Sequence, residues 1–582
     1  MKRGIRTIAA LACSGSALAW GQTPPGAGSI PPIQTRPDVG NVLNQAPPNS
    51  GSILQQTAPR DTRPAPLGGA PALPAEPVPG APTVQPGGAS FVLKGITLKG
   101  NDTIPADELL APVQSKIGSE VNFTGLQAIA AQITQVYRAR GYVLAQVVIP
   151  PQDVTSGQVT MSVLEGRVGH VRLDVAAGTP IKESLLRARV EQIPVGAPLQ
   201  QQVLERTMLL LSDLPGITVT SSIESGNEPG TVDLTINVAP AKRWTFAADL
   251  DNYGAATSGT WRLGGLARLN SPFGIGDNLD LRILGAERLD TAYGRVGYEA
   301  PVNAYGTRVG VAVARLNYTL GKQYSSLDAT GDATVVDLTV THPLLRTRNQ
   351  NVLARANLEF RDLSDNIGVV DDHNRRSMVE GSVGLTYESR DGLFGGGFNS
   401  ADIELLIGSL HFKDAANYAI DQSQFGRNTA GNEVRATFFA NRLNAVTEKV
   451  SLFFGFSGQW AATNLDNSSR FLLGGPHAVR AYSPSEGLVD EGFVATAEAR
   501  YAVTSKITAF TFFDFGTGWY NANPRPNQGP NNITRSGAGL GAYLALPYGF
   551  AWQGTVAWRT TSPDTTGNDK LPTFYMQLSK TF

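Results

Sequence analysis

The stretch that decides the fold is Arg243-Trp244-Thr245-Phe246-Ala247-Ala248-Asp249-Leu250-Asp251. Trp244, Phe246, Ala248 and Leu250 fall on one parity, and Thr245, Ala247, Asp249 and Asp251 on the other. A β-strand turns successive side chains to opposite faces, so this segment has one greasy face and one polar, acidic face. The pattern persists to the end of the chain: Val309, Val311 and Val313 share a parity, as do Val450, Leu452, Phe454 and Phe456. A soluble sandwich also alternates, and three accompanying features favour a membrane barrel. The alternating segments number about sixteen, tight turns and longer polar loops take turns between them, and the last residue, Phe582, is aromatic. Tight connections are read at Pro301-Val302-Asn303-Ala304, Pro343-Leu344-Leu345-Arg346 and Leu546-Pro547-Tyr548-Gly549, and long ones at about 461–490, 520–534 and 561–571. An even strand number puts both ends of a barrel over 242–582 in the periplasm.

Ahead of the barrel the chain divides further. Lys2, Arg3 and Arg6 precede an apolar run from Ile8 to Ala19 that ends in Ala17-Leu18-Ala19, which reads as a secretory signal peptide over 1–19. A membrane anchor needs about 20 apolar residues, and a lipoprotein reading of Leu11-Ala12-Cys13 has too short a run before it. Cys13 is the only cysteine, so a mature chain would hold no disulfide, zinc cluster or thiol nucleophile. No later run is long and apolar enough for a membrane helix. Acids and bases are interspersed at a formal net charge of −1, which excludes a nucleic-acid footprint. Residues 20–90 form a linker rich in Pro, Gly, Ala, Gln and Thr that buries too little apolar surface to fold, interrupted by a short helical segment, Gly51-Ser52-Ile53-Leu54-Gln55-Gln56.

Residues 91–167 read as strand (Phe91 to Leu98), short helix (from Pro105), helix (from Thr124), strand (Val143 to Ile149) and strand (Val159 to Leu164). In the second helix Leu126, Ile129, Ile133 and Tyr137 share one face. The same β-α-α-β-β order returns over 168–241, with helices at 181–188 and 198–214 and strands at 170–175, 217–223 and 232–238, an internal repeat of about 75 residues. Both units resemble POTRA domains, the polypeptide-transport-associated repeats that precede bacterial outer-membrane barrels. The resemblance rests on Gly141-Tyr142, Ile149-Pro150-Pro151-Gln152, Gly157, Leu164-Glu165-Gly166-Arg167 and Leu214-Pro215-Gly216-Ile217. The fold class expected is therefore α+β POTRA-like domains followed by an all-β transmembrane barrel of about sixteen antiparallel strands.

Two motifs in the barrel carry the mechanism. After the eleventh strand comes Phe471-Leu472-Leu473-Gly474-Gly475-Pro476-His477-Ala478-Val479-Arg480-Ala481-Tyr482, which resembles the Val-Arg-Gly-Tyr hairpin that folds into the lumen in the POTRA-plus-barrel superfamily. Ala481 stands where that motif has glycine, a departure that bears on whether the tip adopts φ > 0. Gly474, Gly475, Val479, Arg480 and Tyr482 are the residues carried over. Two strands later, Phe512-Phe513-Asp514-Phe515-Gly516 matches the family's Phe-x-Asp-x-Gly pattern, and parity turns Phe512, Asp514 and Gly516 to the lumen. An inward acid suits an inward arginine, although a lone loop arginine is as often a solvated cation. Gly537, Gly539 and Gly541 leave a smooth inner stripe, which accommodates the loop or passing polypeptide, or merely permits curvature.

Taken together these features resemble the two-partner secretion transporters, the haemolysin and filamentous-adhesin secretion proteins. The resemblance implies a partner exoprotein, an adhesin, haemolysin or related toxin, that arrives unfolded in the periplasm, is captured by the POTRA units and threads outward without ATP. It implies residence in outer-membrane lipid, insertion by the barrel-assembly machinery through a C-terminal signal of the kind Phe574, Met576, Leu578 and Phe582 present, and a plug helix at Gly51 to Gln56. The edge strand Thr218, Val219, Thr220, Ser221, Ser222 and Ile223 is the candidate client-binding strand, because backbone pairing tolerates varied sequence. An assembly insertase is the alternative, and a passive porin a weaker one. The five histidines lack metal-ligand spacing, Gly455-Phe456-Ser457-Gly458-Gln459 lacks the second glycine of a nucleophile elbow, and neither catalysis, metal nor cofactor is expected.

Overall fold

A computed structural model describes residues 48–57, 90–525, 529–565 and 571–582. The expected signal peptide and most of the proline-rich linker lie outside these residues.

The first segment described is a helix, α1 (Ser50–Thr57). The next unit comprises β1 (Phe91–Val92), β2 (Gly95–Lys99), α2 (Ala106–Leu110), β3 (Glu120–Val121), α3 (Phe123–Ala139), β4 (Gln146–Val148) and β5 (Gln158–Leu164). Its core is built from the α3 face foreseen by periodicity: Leu126, Ile129, Ile133 and Tyr137 are all buried, and Asn122 caps the helix by accepting from Gly125 N–H at 2.9 Å. The strand expected from Phe91 to Leu98 is instead two strands with different partners, β1 on β3 and β2 on β5. The reason is local. Leu93 is fully buried and exchanges backbone bonds with Ser119 and Gly118, after which Lys94 and Gly95 both donate to Gly157 O, so the chain crosses from one partner to the other.

The second unit repeats the order with β6 (Arg167–Val175), α4 (Glu183–Val190), α5 (Gln201–Ser212), β7 (Ile217–Ser225) and β8 (Thr231–Pro240). Its sheet runs β6-β8-β7, which leaves β7 at an edge. This unit is seated on the periplasmic end of the barrel, on strand ends as well as turns. Arg346 forks onto Asp213 at 2.7 and 2.9 Å, Arg206 donates to Pro343 O at 2.9 Å, Gln192 to Ala304 O at 2.8 Å and Ser271 Oγ to Pro215 O at 2.9 Å.

The barrel is closed and has sixteen strands: β9 (Trp244–Asp251), β10 (Arg262–Asn270), β11 (Asn278–Ala286), β12 (Thr291–Pro301), β13 (Arg308–Thr319), β14 (Ala329–Arg346), β15 (Gln350–Ile367), β16 (Asp372–Asp391), β17 (Gly397–Phe412), β18 (Gly431–Ala445), β19 (Val450–Ala461), β22 (Glu491–Thr504), β23 (Ile507–Trp519), β24 (Asn532–Ala545), β25 (Phe550–Arg559) and β26 (Thr573–Thr581). The missing numbers, β20 (Phe471–Leu472) and β21 (Leu488–Val489), form a two-stranded ribbon inside the long loop after β19. Closure gives every wall strand a neighbour on both sides, as a sheet crossing hydrocarbon requires. The outer face carries large apolar side chains left exposed, among them Trp244, Phe246, Ile283, Val311, Phe454 and Phe513, as a lipid-facing surface must. The inner face carries cross-strand ion pairs such as Arg355 with Asp402 at 3.2 Å and Arg295 with Asp280 at 3.0 Å. Pro343 does not sit in a turn as expected but inside β14, where a bulge between Pro343 and Leu345 absorbs the missing ladder donor.

Candidate functional site

The loop after β19 folds into the barrel. β20 and β21 pair at its base through Phe471 with Val489 and Leu472 with Leu488, and beyond them the chain tightens into the 474–482 hairpin. Gly474 is required there because a Cβ would lie 2.4 Å from Ser483 O, and Gly475 because its φ is +114°. Ala481 is absent from the non-glycine residues with positive φ, so the replacement of glycine at the tip needs no left-handed backbone.

Arg480 is brought from this hairpin to the wall. Its Nε donates to Asp514 Oδ2 at 2.9 Å, its Nη2 to Oδ1 at 2.7 Å, and its backbone N–H to Oδ2 at 3.1 Å. Nη1 donates to Glu498 Oε1 at 2.7 Å, and the guanidinium lies 3.5 Å over the Phe512 ring. Thr496 Oγ1 adds a bond to Asp514 Oδ1 at 2.9 Å, and Arg500 pairs the far oxygen of Glu498 at 2.6 Å. Asp514 is 0 % and Arg480 6 % exposed, so the pair is out of solvent and strongly felt. Burial works against the charge of Arg480, yet the hydrogen bonds and charge of Asp514, joined by Glu498, hold its pKa above the ordinary arginine value.

The remaining motif residues fit round this contact. Gly516 makes room for Val479, since a Cβ there would meet Val479 Cγ2 at 3.0 Å. Tyr482 is fully buried; its hydroxyl bonds Ser562 O at 2.8 Å, its carbonyl accepts from Tyr575 at 2.7 Å, and Arg535 and Arg559 flank its ring. Of the glycine stripe, Gly537 receives the hairpin, where a Cβ would lie 2.5 Å from that of Ala481, while Gly539 and Gly541 lie under the rings of Phe512 and Phe510.

Helix α1 occupies the lumen beside the loop. Asn49 and Ser52 cap it reciprocally at 3.0 Å each, and Ile53 and Leu54 pack into a buried cluster with Leu284, Leu316 and Leu363 from the inner wall and Leu327 from the loop after β13. Asp365 accepts from Ser50 N–H at 2.6 Å, and Arg262 donates to Gln56 O at 3.0 Å, an acid at the helix start and a base at its end. Arg376 joins Asp365 to Asp466 of the loop, and Gly51 lies against Ser468, where a Cβ would be 2.6 Å from its backbone nitrogen. Helix and loop therefore share one packed, ion-paired interior.

Sequence reasoning named Arg480 and Asp514 but missed Glu498, Thr496 and the Asp365–Arg376–Asp466 group. The parity of β22 held a signal, since Thr496, Glu498 and Arg500 share a lumen-facing register with Asp514 and Phe512. Thr218 to Ile223 lie far from this site, on edge strand β7. Ladder bonds such as Gly216 O with Ala241 N–H and Gly226 N–H with Thr231 O fix the alternation, so the even positions of β7 bond β8 and the backbone groups of Val219, Ser221 and Ile223 point to the open edge. Among the described residues no group of three or more His, Cys, Asp or Glu could hold a metal ion.

A closed sixteen-stranded barrel with a filled lumen, preceded by α+β repeat units on its periplasmic side, defines an outer-membrane transporter of the POTRA-plus-barrel kind. Residues 91–166 match the model of the ShlB-type POTRA domain, and residues 230–544 that of the haemolysin secretion/activation protein family ShlB/FhaC/HecB. The chain belongs to that family, which is a family of transporters that export partner proteins. It is 25% identical over 507 residues to the heme/hemopexin transporter protein HuxB of Haemophilus influenzae, covering 85% of this chain and 88% of that one. It is 24% identical over 405 residues to the outer membrane transporter CdiB of Escherichia coli, covering 68% and 66%. Among solved structures, CdiB from Escherichia coli superposes with a TM-score of 0.66 at 20% identity, covering 94% of this chain and 100% of that one.

Proposed function

We propose that the chain captures an unfolded exoprotein in the periplasm, threads it through the barrel and releases it at the cell surface without ATP, and that Arg480 and Asp514 hold the lumen hairpin in its resting position. The observation that carries this reading is the buried Arg480–Asp514 contact between a loop and the wall of the pore. A pore for passive diffusion has no use for a lumen filled by a hairpin and a helix, whereas a transporter that must stay sealed between clients does. The client's capture is assigned to the open edge of β7, where backbone groups at Val219, Ser221 and Ile223 accept an added strand of varied sequence. Adhesins, haemolysins and related toxins are the class of partner. Outer-membrane lipid meets the apolar outer wall, and the aromatic C-terminal strand ending in Phe582 serves insertion by the barrel-assembly machinery.

The test is secretion of the exoprotein encoded beside this gene, in a strain lacking the gene and complemented with wild type or Arg480→Ala. Loss of the surface protein in the deletion strain and its return only with wild type is the expected result. Unchanged secretion in the deletion strain overturns the export reading, and full secretion with Arg480→Ala overturns the role of the hairpin contact.

A further inference from the structure

Two arginines on the inner wall of β9 to β13 differ from their neighbours. Arg262 pairs with Asp251 at 2.8 Å, Arg295 with Asp280 at 3.0 Å, and Arg308 with Glu299. Arg268 on β10 and Arg282 on β11 share the lumen-facing parity of Arg262 and Asp280, yet among the described residues neither makes a hydrogen bond or an ion pair. The acid opposite Arg268 in register is Asp280, which Arg295 has taken. Asp249 lies near Arg282, across the side-chain-free Gly264, but no ion pair closes between them.

The two cations are diagonal neighbours. Arg282 faces Leu266 and Asp280 faces Arg268, a spacing at which one extended segment reaches both. Arg268 is exposed and Arg282 half-buried, so the lumen gives access to each. Like charges at this spacing repel and stabilise nothing in the resting wall. An anionic segment laid across them removes that repulsion and gains two charge-assisted contacts.

Their place in the fold is the stretch between the capture strand and the helix in the lumen. Above them Arg262 and Leu284 already hold α1. Below them β10 ends at Asn270, against the second α+β unit. Ser271 Oγ donates to Pro215 O at 2.9 Å, a Cβ on Gly216 would lie 3.4 Å from that of Asn270, and β7 starts at the next residue, Ile217. Arg243 donates to Ser271 O at 3.2 Å and the carbonyl of the exposed Lys242 accepts from Asn270, which brings two more cations to this joint. Arg268 stands two residues up β10 from Asn270, a rise of about 7 Å. Positive charge therefore runs from the barrel end of β7 into the pore and up to the foot of α1.

We propose that Arg268 and Arg282 form an entry site for acidic stretches of the exported polypeptide, binding aspartate and glutamate carboxylates as the chain passes from β7 into the pore. The proposal rests on the export reading and adds to it the charge of the segment that enters. Backbone pairing on β7 is indifferent to sequence, whereas two unpaired guanidiniums select for carboxylates and against a basic segment.

The test is binding of a labelled, unfolded Gly-Ser peptide of about 20 residues to the purified full chain, followed by fluorescence anisotropy. One peptide carries glutamate at every fourth position and its twin carries glutamine there. The glutamate peptide is expected to bind wild type and to weaken about tenfold on Arg268→Gln with Arg282→Gln, the scale of two partly exposed ion pairs lost together. Arg268→Lys with Arg282→Lys is expected to keep most of the affinity, and the glutamine twin is expected to bind all three chains equally weakly. Unchanged affinity in the glutamine variant overturns the proposal, as does an equal loss in the lysine variant, which would mean that shape and not charge is read. Should the variants fail to fold, wild type decides alone: a glutamate peptide released by rising salt while its twin is unaffected supports the site, and equal binding of the two peptides refutes it. Peptide binding needs no export, so the two readings fail separately. Arginine-dependent binding by a chain that secretes nothing refutes export and leaves the site, and full secretion of the exoprotein encoded beside this gene by Arg268→Glu with Arg282→Glu refutes the site and leaves export.

Discussion

Arg480 and Asp514 meet through two side-chain hydrogen bonds of 2.9 and 2.7 Å across 34 residues of sequence, one carried by a loop and the other by the barrel wall. Asp514 is fully buried and Arg480 nearly so, and each pairs with the other's charge.

Removing one side of such a pair strands the other. Arg480→Ala or Asp514→Asn is expected to cost about 3–5 kcal/mol at the contact and to release the hairpin. Protease added outside intact cells then cuts within the loop that holds Arg480, and wild type resists. Arg480→Lys keeps the charge but loses the fork and the stacking on Phe512, so it is expected to fall between the two.

Gly537 offers a second route to the same outcome without touching a charge. Its missing Cβ is the space that Ala481 occupies. Gly537→Val is therefore expected to push the hairpin off the wall at a cost of about 1–3 kcal/mol, raising protease sensitivity while the barrel stays folded on an unheated gel.

Helix α1 is held chiefly by Ile53 and Leu54 in their apolar cluster. Deleting residues 22–60 is expected to raise single-channel conductance in bilayers, and Ile53→Glu, which buries a carboxylate among leucines, is expected to do the same more weakly. Equal conductance in all three proteins rules out a plug.

The β7 edge makes a prediction that separates capture from folding. The Ser221 N–H points away from β8, so Ser221→Pro removes a donor from the open edge and leaves the internal ladder intact. Binding of an unfolded client segment to this unit is expected to weaken about tenfold, whereas Thr220→Pro, on the ladder side, is expected to unfold the sheet. Undiminished binding by Ser221→Pro places the client elsewhere.

Much of this molecule was legible because its strands obey one rule. Period-two alternation gave the strand number, the loop after the eleventh strand, and the inward parity of Phe512, Asp514 and Gly516, since in a closed sheet each strand's pattern is set by lipid on one side and lumen on the other. The repeat of two α+β units was visible for a similar reason: α3 buries the residues its periodicity selects. The break at Leu93 and the bulge at Pro343 were not visible, because each depends on which neighbour's backbone groups lie within reach.

Local period and spacing thus marked the class of fold, while the two motifs were legible through their resemblance to a known family and the short helix near position 53 as a break in a proline-rich linker. Only the tertiary structure decided that Glu498 joins the arginine and that Arg376 ties the helix to the loop. Such contacts join residues far apart in sequence, and they have no signature in local period until the strands and the loop that bring them together are in place.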